Sequence, residues 1–180
     1  MVYILLGTGF EEIEALTSVD LLRRAEIPVV TVGLNGSVVT GGHGIPVQTD
    51  ISLGEMDLTD LDMIVLPGGM GGVASIRACP EALEAVTFAW DNGKFVAAIC
   101  AAPTILADLH ITDGKSAVCF PSCAEQMGAA NYQADRAAIR DGNLITGTSA
   151  GCAVPFALAL IAALRGDAAA NAIAQQIVIR

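Results

Sequence analysis

The chain has 180 residues, of which 53% are hydrophobic but only 4% aromatic, and a formal net charge of -10 from 19 acidic against 9 basic side chains. Such a surface repels phosphate backbones and anionic lipid, so no nucleic-acid or membrane partner is expected, and no uninterrupted apolar run of about 18 residues suggests a span. Without a Pro/Ser-rich or charge-run linker, residues 1–180 read as a single domain with a core of Ala, Val, Ile and Leu, the composition of buried strands flanked by close-packed helices.

"MVYILLGTGFEE" opens with a short apolar run that acid follows at once, without a basic leader, so it reads as a first strand and a cytoplasmic location is expected. The helix predicted over residues 10–25 places Ala15, Val19 and Leu22 at helical spacing and pairs Asp20 with Arg24. "PVVTVGL" (28–34) is a second strand. "SVVTGGHGIPVQTD" (37–50) reads as two short strands around a glycine-rich turn at His43, a hairpin at the sheet edge. "DMIVLPGG" (62–69) is a strand stopping on a Pro-Gly-Gly turn, and "PEALEAVTFAWDNG" (80–93) is a helix with proline in its first turn and glycine after its end.

"KFVAAIC" is a strand, with "AAPTILADL" continuing as a helix. "GKSAVC" (114–119) and "GNLITG" (142–147) supply later strands, "SAGCAVPFALALIAALRG" (149–166) a long helix with Pro155 inside it, and "DAAANAIAQQIVIR" a last helix capped by Asp167. Alternating strands and helices, with strands too apolar for period two, predict an α/β fold: a doubly wound, mostly parallel sheet with helices on both faces. Ligands bind such sheets at the carboxyl ends of the strands, where the turns "PGGMGG", "ICAAP" and "GTSAG" fall.

Five cysteines, at 79, 100, 119, 123 and 152, form no disulfide framework and are expected as reduced thiols. The x3 spacing of Cys119 and Cys123 is tolerable for zinc, but His43 and His110 lie far from it in sequence, so no metal is expected. His110 reads as a helix C-terminal residue favoured by the dipole.

Cys100 stands apart. An apolar strand runs straight into it and a helix must begin within a couple of residues, with Pro103 suited to the first turn: a sharp elbow that lifts a nucleophile above the sheet. Donors near a helix start lower a thiol from its free value near ~8.5, so a thiolate is expected here; the alternative is one more buried apolar thiol. Gly68 and Gly69 let backbone N–H groups face a developing oxyanion, although a glycine-rich strand exit is equally a plain tight turn. Glu11 and Glu12 suit the start of a helix, whereas Glu14 lies between Ile13 and Ala15-Leu16. Either it tilts to solvent, or it reaches the crevice beside Cys100, where desolvation and the neighbouring thiolate keep it protonated as a donor to sulfur.

"ILLGTGFEEIEALTSVDLLRRA", "DMIVLPGGMGG", "FVAAICAAPTILA" and "LITGTSAG" together resemble, along nearly the whole chain, the ThiJ/PfpI superfamily, in the branch of the Parkinson-disease protein deglycase and its bacterial relatives. The resemblance implies a flavodoxin-like three-layer sandwich, a homodimer, Cys100 as nucleophile with protonated Glu14 beside it, and backbone donors from the Gly68/Gly69 turn. It implies conversion of a small aldehyde, methylglyoxal to lactate, without glutathione or another cofactor, or deglycase activity. Gly69 and Ala101 amides would hold the oxyanion while Glu14 moves the proton between adjacent carbons. Phe120, a pocket wall, stands where many relatives carry a proton-transferring histidine. Ala101 follows Cys100 where the protease-like branch has histidine, which disfavours a peptidase. His43 falls about where relatives place an arginine that lines the entrance across the dimer. The competing function is a redox-responsive sensor or holdase working through oxidation of Cys100.

Overall fold

A computed structural model describes residues 1–179. In chain order the elements are β1 (Val2–Leu6), α1 (Glu12–Arg24), β2 (Val29–Gly33), β3 (Val38–Thr40), β4 (Pro46–Gln48), β5 (Ile51–Ser52), β6 (Met63–Leu66), α2 (Met70–Arg77), α3 (Pro80–Asp91), β7 (Phe95–Ile99), α4 (Pro103–Asp108), β8 (Ser116–Ala117), β9 (Asn131–Tyr132), β10 (Ala138–Asp141), β11 (Leu144–Gly147), α5 (Ala153–Arg165) and α6 (Asp167–Gln176). Seven strands form one sheet in the order β10-β11-β7-β6-β1-β2-β5. Only the β10–β11 pair is antiparallel, as the register of Ala138 on Gly147 and Asp141 on Leu144 shows.

Both faces of this sheet are covered, which is why its central strands are apolar throughout. Ile4 and Leu6 of β1, with Val65 and Ile99, pack with Ala15, Val19 and Leu22 of α1, Phe156 and Leu160 of α5 and Ile173 of α6. Leu5, Leu66, Val96 and Ala98 pack on the other face with Val73 and Ile76 of α2, Val86 of α3 and Ile105 of α4. The result is the expected three-layer, mostly parallel α/β sandwich. The chain leaves β1 toward β2, then returns to lay β6 on the other side of β1. This reversal opens a crevice at the carboxyl ends of β1 and β6, where such sheets hold their ligands.

Several expectations change. The β3–β4 hairpin is a separate two-stranded sheet, while β5 forms the main sheet's edge. A helix, α2, follows "LPGG" directly; its glycines Gly71 and Gly72 pass close to Gly9 and Phe10, so small residues there serve packing. Pro155 does not interrupt a long helix. Residues Ala150–Cys152 form a short 3-10 turn and α5 starts at Ala153, so Pro155 sits in a first turn where its missing N–H costs nothing. Asp167 is the first residue of α6, and Gly166 holds the cap position without a side-chain bond. The predicted Asp20–Arg24 pair is present at 2.8 Å. Among the described residues no helix is long and apolar enough to cross a membrane.

Candidate active site

β7 ends at Ile99, and the next residue, Cys100, has a φ of 66°, a left-handed conformation that costs a non-glycine residue about 1–3 kcal/mol. Hydrogen bonds on both sides hold it there. Its N–H donates to the Gly147 carbonyl at the end of β11 (2.9 Å), and its carbonyl accepts from the Phe120 N–H (2.7 Å). Ala102 closes the turn by donating to Ile99, and Pro103 begins α4, where proline's missing donor is harmless. The predicted elbow is therefore a strained turn pinned by β11 on one side and the Phe120 loop on the other.

The turn after β6 comes to the same point. Gly69 has a φ of 82° and is the cap residue of α2. Gly68 lies between the two reactive side chains: a Cβ there would come within 2.6 Å of Glu14 Oε2 and 2.7 Å of Cys100 Cβ. The Gly68 carbonyl accepts from the Glu11 N–H at 3.0 Å, which ties the start of α1 to the β6 turn. These contacts bring Cys100, Glu14, Gly68, Gly69 and Ala101 together. Of these, Cys100, Gly69 and Ala101 reach a pocket of ≈ 290 Å³, which Glu11, Met70, Phe120 and Ser122 also line.

Glu14 is 0% exposed. Its Oε2 accepts from the Gly68 N–H at 2.7 Å, while Oε1 is buried without a hydrogen-bond partner among the described residues. Burial pushes this carboxyl up to about 7, against the smaller opposing pull of its bonds with Cys100 and Gly68; the Glu11 charge adds to the rise. The side chain therefore turns inward and not to solvent, and a buried carboxyl with one unpaired oxygen favours the neutral form.

The thiol departs from expectation. Burial and the charge of Glu14 push Cys100 up to about 12, and the amides of Ala101 and Gly69 only partly offset this. The lowering expected from donors at the elbow is present but is outweighed by burial and by the neighbouring carboxylate. Cys100 and Glu14 are two acids sharing one buried volume, so they titrate as a unit in which the proton of one decides the charge of the other. Once Glu14 is neutral, its repulsion of the thiolate is gone and its hydroxyl becomes a donor to sulfur.

Within its own chain His43 is not among the pocket's described lining residues. Its ring Nδ1 lies 2.9 Å from Glu12 Oε2 and 3.7 Å from Glu11 Oε2, and its side chain is 70% exposed. Glu12, which the sequence places at the start of a helix, is buried and accepts the N–H groups of His43 (2.8 Å) and Ile45 (3.5 Å) as well as the ring. Burial raises Glu12, but these donors outweigh it and hold its carboxyl below the usual range. The three side chains place donor atoms within 4.8 Å of one another, a composition that metals use. Here each Glu12 oxygen already has a protein donor.

Phe120 lines the pocket as expected. Glu11, Met70 and Ser122 do so unannounced. Met70 was hidden because α2 was, and Ser122 arrives through the loop that Phe120 ties to Cys100. For Glu11 a signal existed: it directly precedes a helix whose partner strand ends beside the elbow.

Residues 1–163 match the DJ-1/PfpI family. The chain is 34% identical to Protein dj-1beta of Drosophila melanogaster, over 98% of this chain and 95% of that protein. The crystal structure of Drosophila melanogaster DJ-1beta superposes with a TM-score of 0.95, covering 99% of this chain and 97% of the other. A Caenorhabditis elegans relative, named glutathione-independent glyoxalase DJR-1.2, is 29% identical over 91% of this chain and 87% of its own. The chain belongs to the DJ-1/PfpI family.

Proposed function

We propose that this chain is a cysteine-dependent glyoxalase that converts small 2-oxoaldehydes, methylglyoxal to lactate, without glutathione. The observation that carries the reading is a fully buried Glu14, raised to about 7, beside a half-buried cysteine on a strained elbow that opens into a pocket. A group near neutrality both accepts and gives protons at working pH, which is what an aldehyde isomerisation needs. The name of the Caenorhabditis elegans relative supports the same chemistry.

The Cys100 sulfur adds to the aldehyde carbon as the proton the pair shares passes to the new oxygen, giving a hemithioacetal and leaving Glu14 ionised. The Gly69 and Ala101 amides that face the sulfur meet the oxygen charge formed beside it. Glu14 takes the hydrogen of the former aldehyde carbon as a proton, and the electron pair forms an enediol. Reprotonation at the neighbouring carbon leaves a thioester, which water cleaves to the 2-hydroxy acid with return of the thiol. One carbon is oxidised and its neighbour reduced, so the balance is the aldehyde plus water. The histidine that many relatives place at position 120 is a phenylalanine here, so proton transfer rests on Glu14 and turnover is slow. The pocket's described lining includes no histidine, which supports neither a Cys-His pair nor a peptidase.

The homodimer that the resemblance implies belongs to the same proposal. Exposed Ile13 and Leu16 on α1 and Ile45 after the hairpin turn give it an apolar face, and sedimentation tests it. The deciding assay follows methylglyoxal loss and lactate formation, without added thiol, for wild type, Cys100→Ser and Glu14→Gln. Activity in wild type and loss in both variants is expected. An inactive wild type whose Cys100 gains two oxygens under mild peroxide would replace this reading with the redox sensor.

A further inference from the structure

Both amides that face the Cys100 sulfur belong to helix starts, Gly69 as the cap of α2 and Ala101 just ahead of α4. One side chain ties those two helices together. Arg77, in the last turn of α2, donates from Nη2 to Thr104 Oγ1 of α4 at 2.8 Å and from Nε to Asp108 Oδ2 at 2.9 Å. Thr104 is 1% exposed, and its hydroxyl passes the contact on. It donates to the Ala101 carbonyl at 2.6 Å, which also accepts the Thr104 N–H at 3.2 Å.

A threonine bonded to a carbonyl just before it in the chain is ordinary, and so is an ion pair between the partly exposed Arg77 and Asp108. What matters is where this chain of bonds ends. Gly147 and Phe120 hold the strained Cys100 itself, and Thr104 holds the residue directly after it. A bond that passes through a buried hydroxyl polarises the next one, so the Arg77 charge tightens the Thr104 hold on Ala101. At its other end α2 is only eight residues long, so a shift at Arg77 is carried to Gly69. We infer that Arg77, acting through Thr104, is a positioning residue that fixes α2 against α4 and keeps the Gly69 and Ala101 amides aimed at the Cys100 sulfur. The inference rests on the glyoxalase reading where turnover is measured, but the aim of the amides acts on any reaction of the thiol.

Two readouts test it. Thr104→Val keeps the shape of the side chain and removes its hydroxyl, Thr104→Ser restores the hydroxyl, and Arg77→Ala removes the donor at the other end. With methylglyoxal, Thr104→Val and Arg77→Ala lower kcat about tenfold and leave KM within about twofold, because amides aimed at a forming oxyanion act in the transition state and a displaced donor loses less than a deleted one. Thr104→Ser turns over like wild type. Independently of turnover, Cys100 capping by iodoacetamide is followed by mass spectrometry across pH. The amides favour the ionised sulfur, so in Thr104→Val and Arg77→Ala the rise in capping rate moves up by about half a pH unit, and in Thr104→Ser it does not move. Thr104→Val changes no charge and leaves Glu14 and Glu11 in place, so its shift reports the amides. Ile173→Ala, buried on the other face of the sheet, is the control that loses stability without this shift. If Thr104→Val keeps the wild-type capping profile, or Arg77→Ala does where Thr104→Val fails to fold, or if Ile173→Ala moves the profile equally, the tie is structural only and the inference is overturned. If no aldehyde is turned over while the capping profile shifts as stated, the glyoxalase reading falls and the positioning role stands.

Discussion

Glu12 and Glu14 sit two residues apart in the first turn of α1, both buried, and they hold protons in opposite ways. Separated by about 200° around the helix, they face different surroundings. Glu12 meets three donors from the 43–45 turn, which outweigh burial and keep it ionised. Glu14 meets one amide and a thiol, and burial raises it to about 7. Burial fixes what a charge costs, and the number of donors decides whether that cost is met. Glu12 is thereby a structural bolt for the hairpin turn, while Glu14 is left with a labile proton next to Cys100.

Removing the nucleophile gives the largest effect. Cys100→Ala lowers methylglyoxal turnover by at least about 10³-fold, because no other group can form the covalent intermediate. Glu14→Gln lowers it about 10²- to 10⁴-fold, the range of a lost general acid-base. The same variant gains stability at alkaline pH. Glu14 is protonated in folded and unfolded chains below about pH 4.5, its ordinary value, so no penalty exists there. As pH rises through its raised folded value, the folded chain must ionise a buried group at a cost of about 3 kcal/mol. Urea unfolding should therefore show wild type losing stability relative to Glu14→Gln between about pH 4.5 and 7 and remaining lower above it.

The opposite sign marks Glu12. Glu12→Ala strands the donors of the 43–45 turn and costs about 1–3 kcal/mol at neutral pH. Because its folded carboxyl is held low, the wild-type advantage is present above the ordinary glutamate value and fades as pH falls through the lower folded one. Capping of Cys100 keeps its pH profile in this variant, which separates the two glutamates. The smallest effect belongs to His43→Gln. Bonding to Glu12 raises the His43 ring, so its contribution is present at low pH and disappears as pH rises through the raised value. The ring is exposed, and added salt shrinks the difference between variant and wild type in the same unfolding experiment.

The strand and helix alternation was legible because buried parallel strands are continuous apolar runs, while α1 shows apolar residues at helical spacing and α3 a proline in its first turn. What escaped has local causes. α2 carries Gly71 and Gly72, which read as turn, though their role is close approach to Gly9 and Phe10. β5 and β9, of two residues each, are too short to have a period. At the site, Cys100 and Glu14 stood out as a nucleophile at a strand end and an acid among apolar neighbours. Glu12 did not, because its partners lie more than thirty positions away in the hairpin turn. Nor did the protonation of the thiol, which depends on how closely the β6 turn and α1 pack over it.

The central claim is that Cys100 and Glu14 form one acid-base unit. The pH dependence of Cys100 capping by iodoacetamide tests it most directly, in wild type and Glu14→Gln. The shared proton leaves the pair near about 7, so the wild-type rate should rise with an inflection there, and that inflection should vanish in the variant. A single inflection at the ordinary thiol value of about 8.5 in both proteins would contradict the claim.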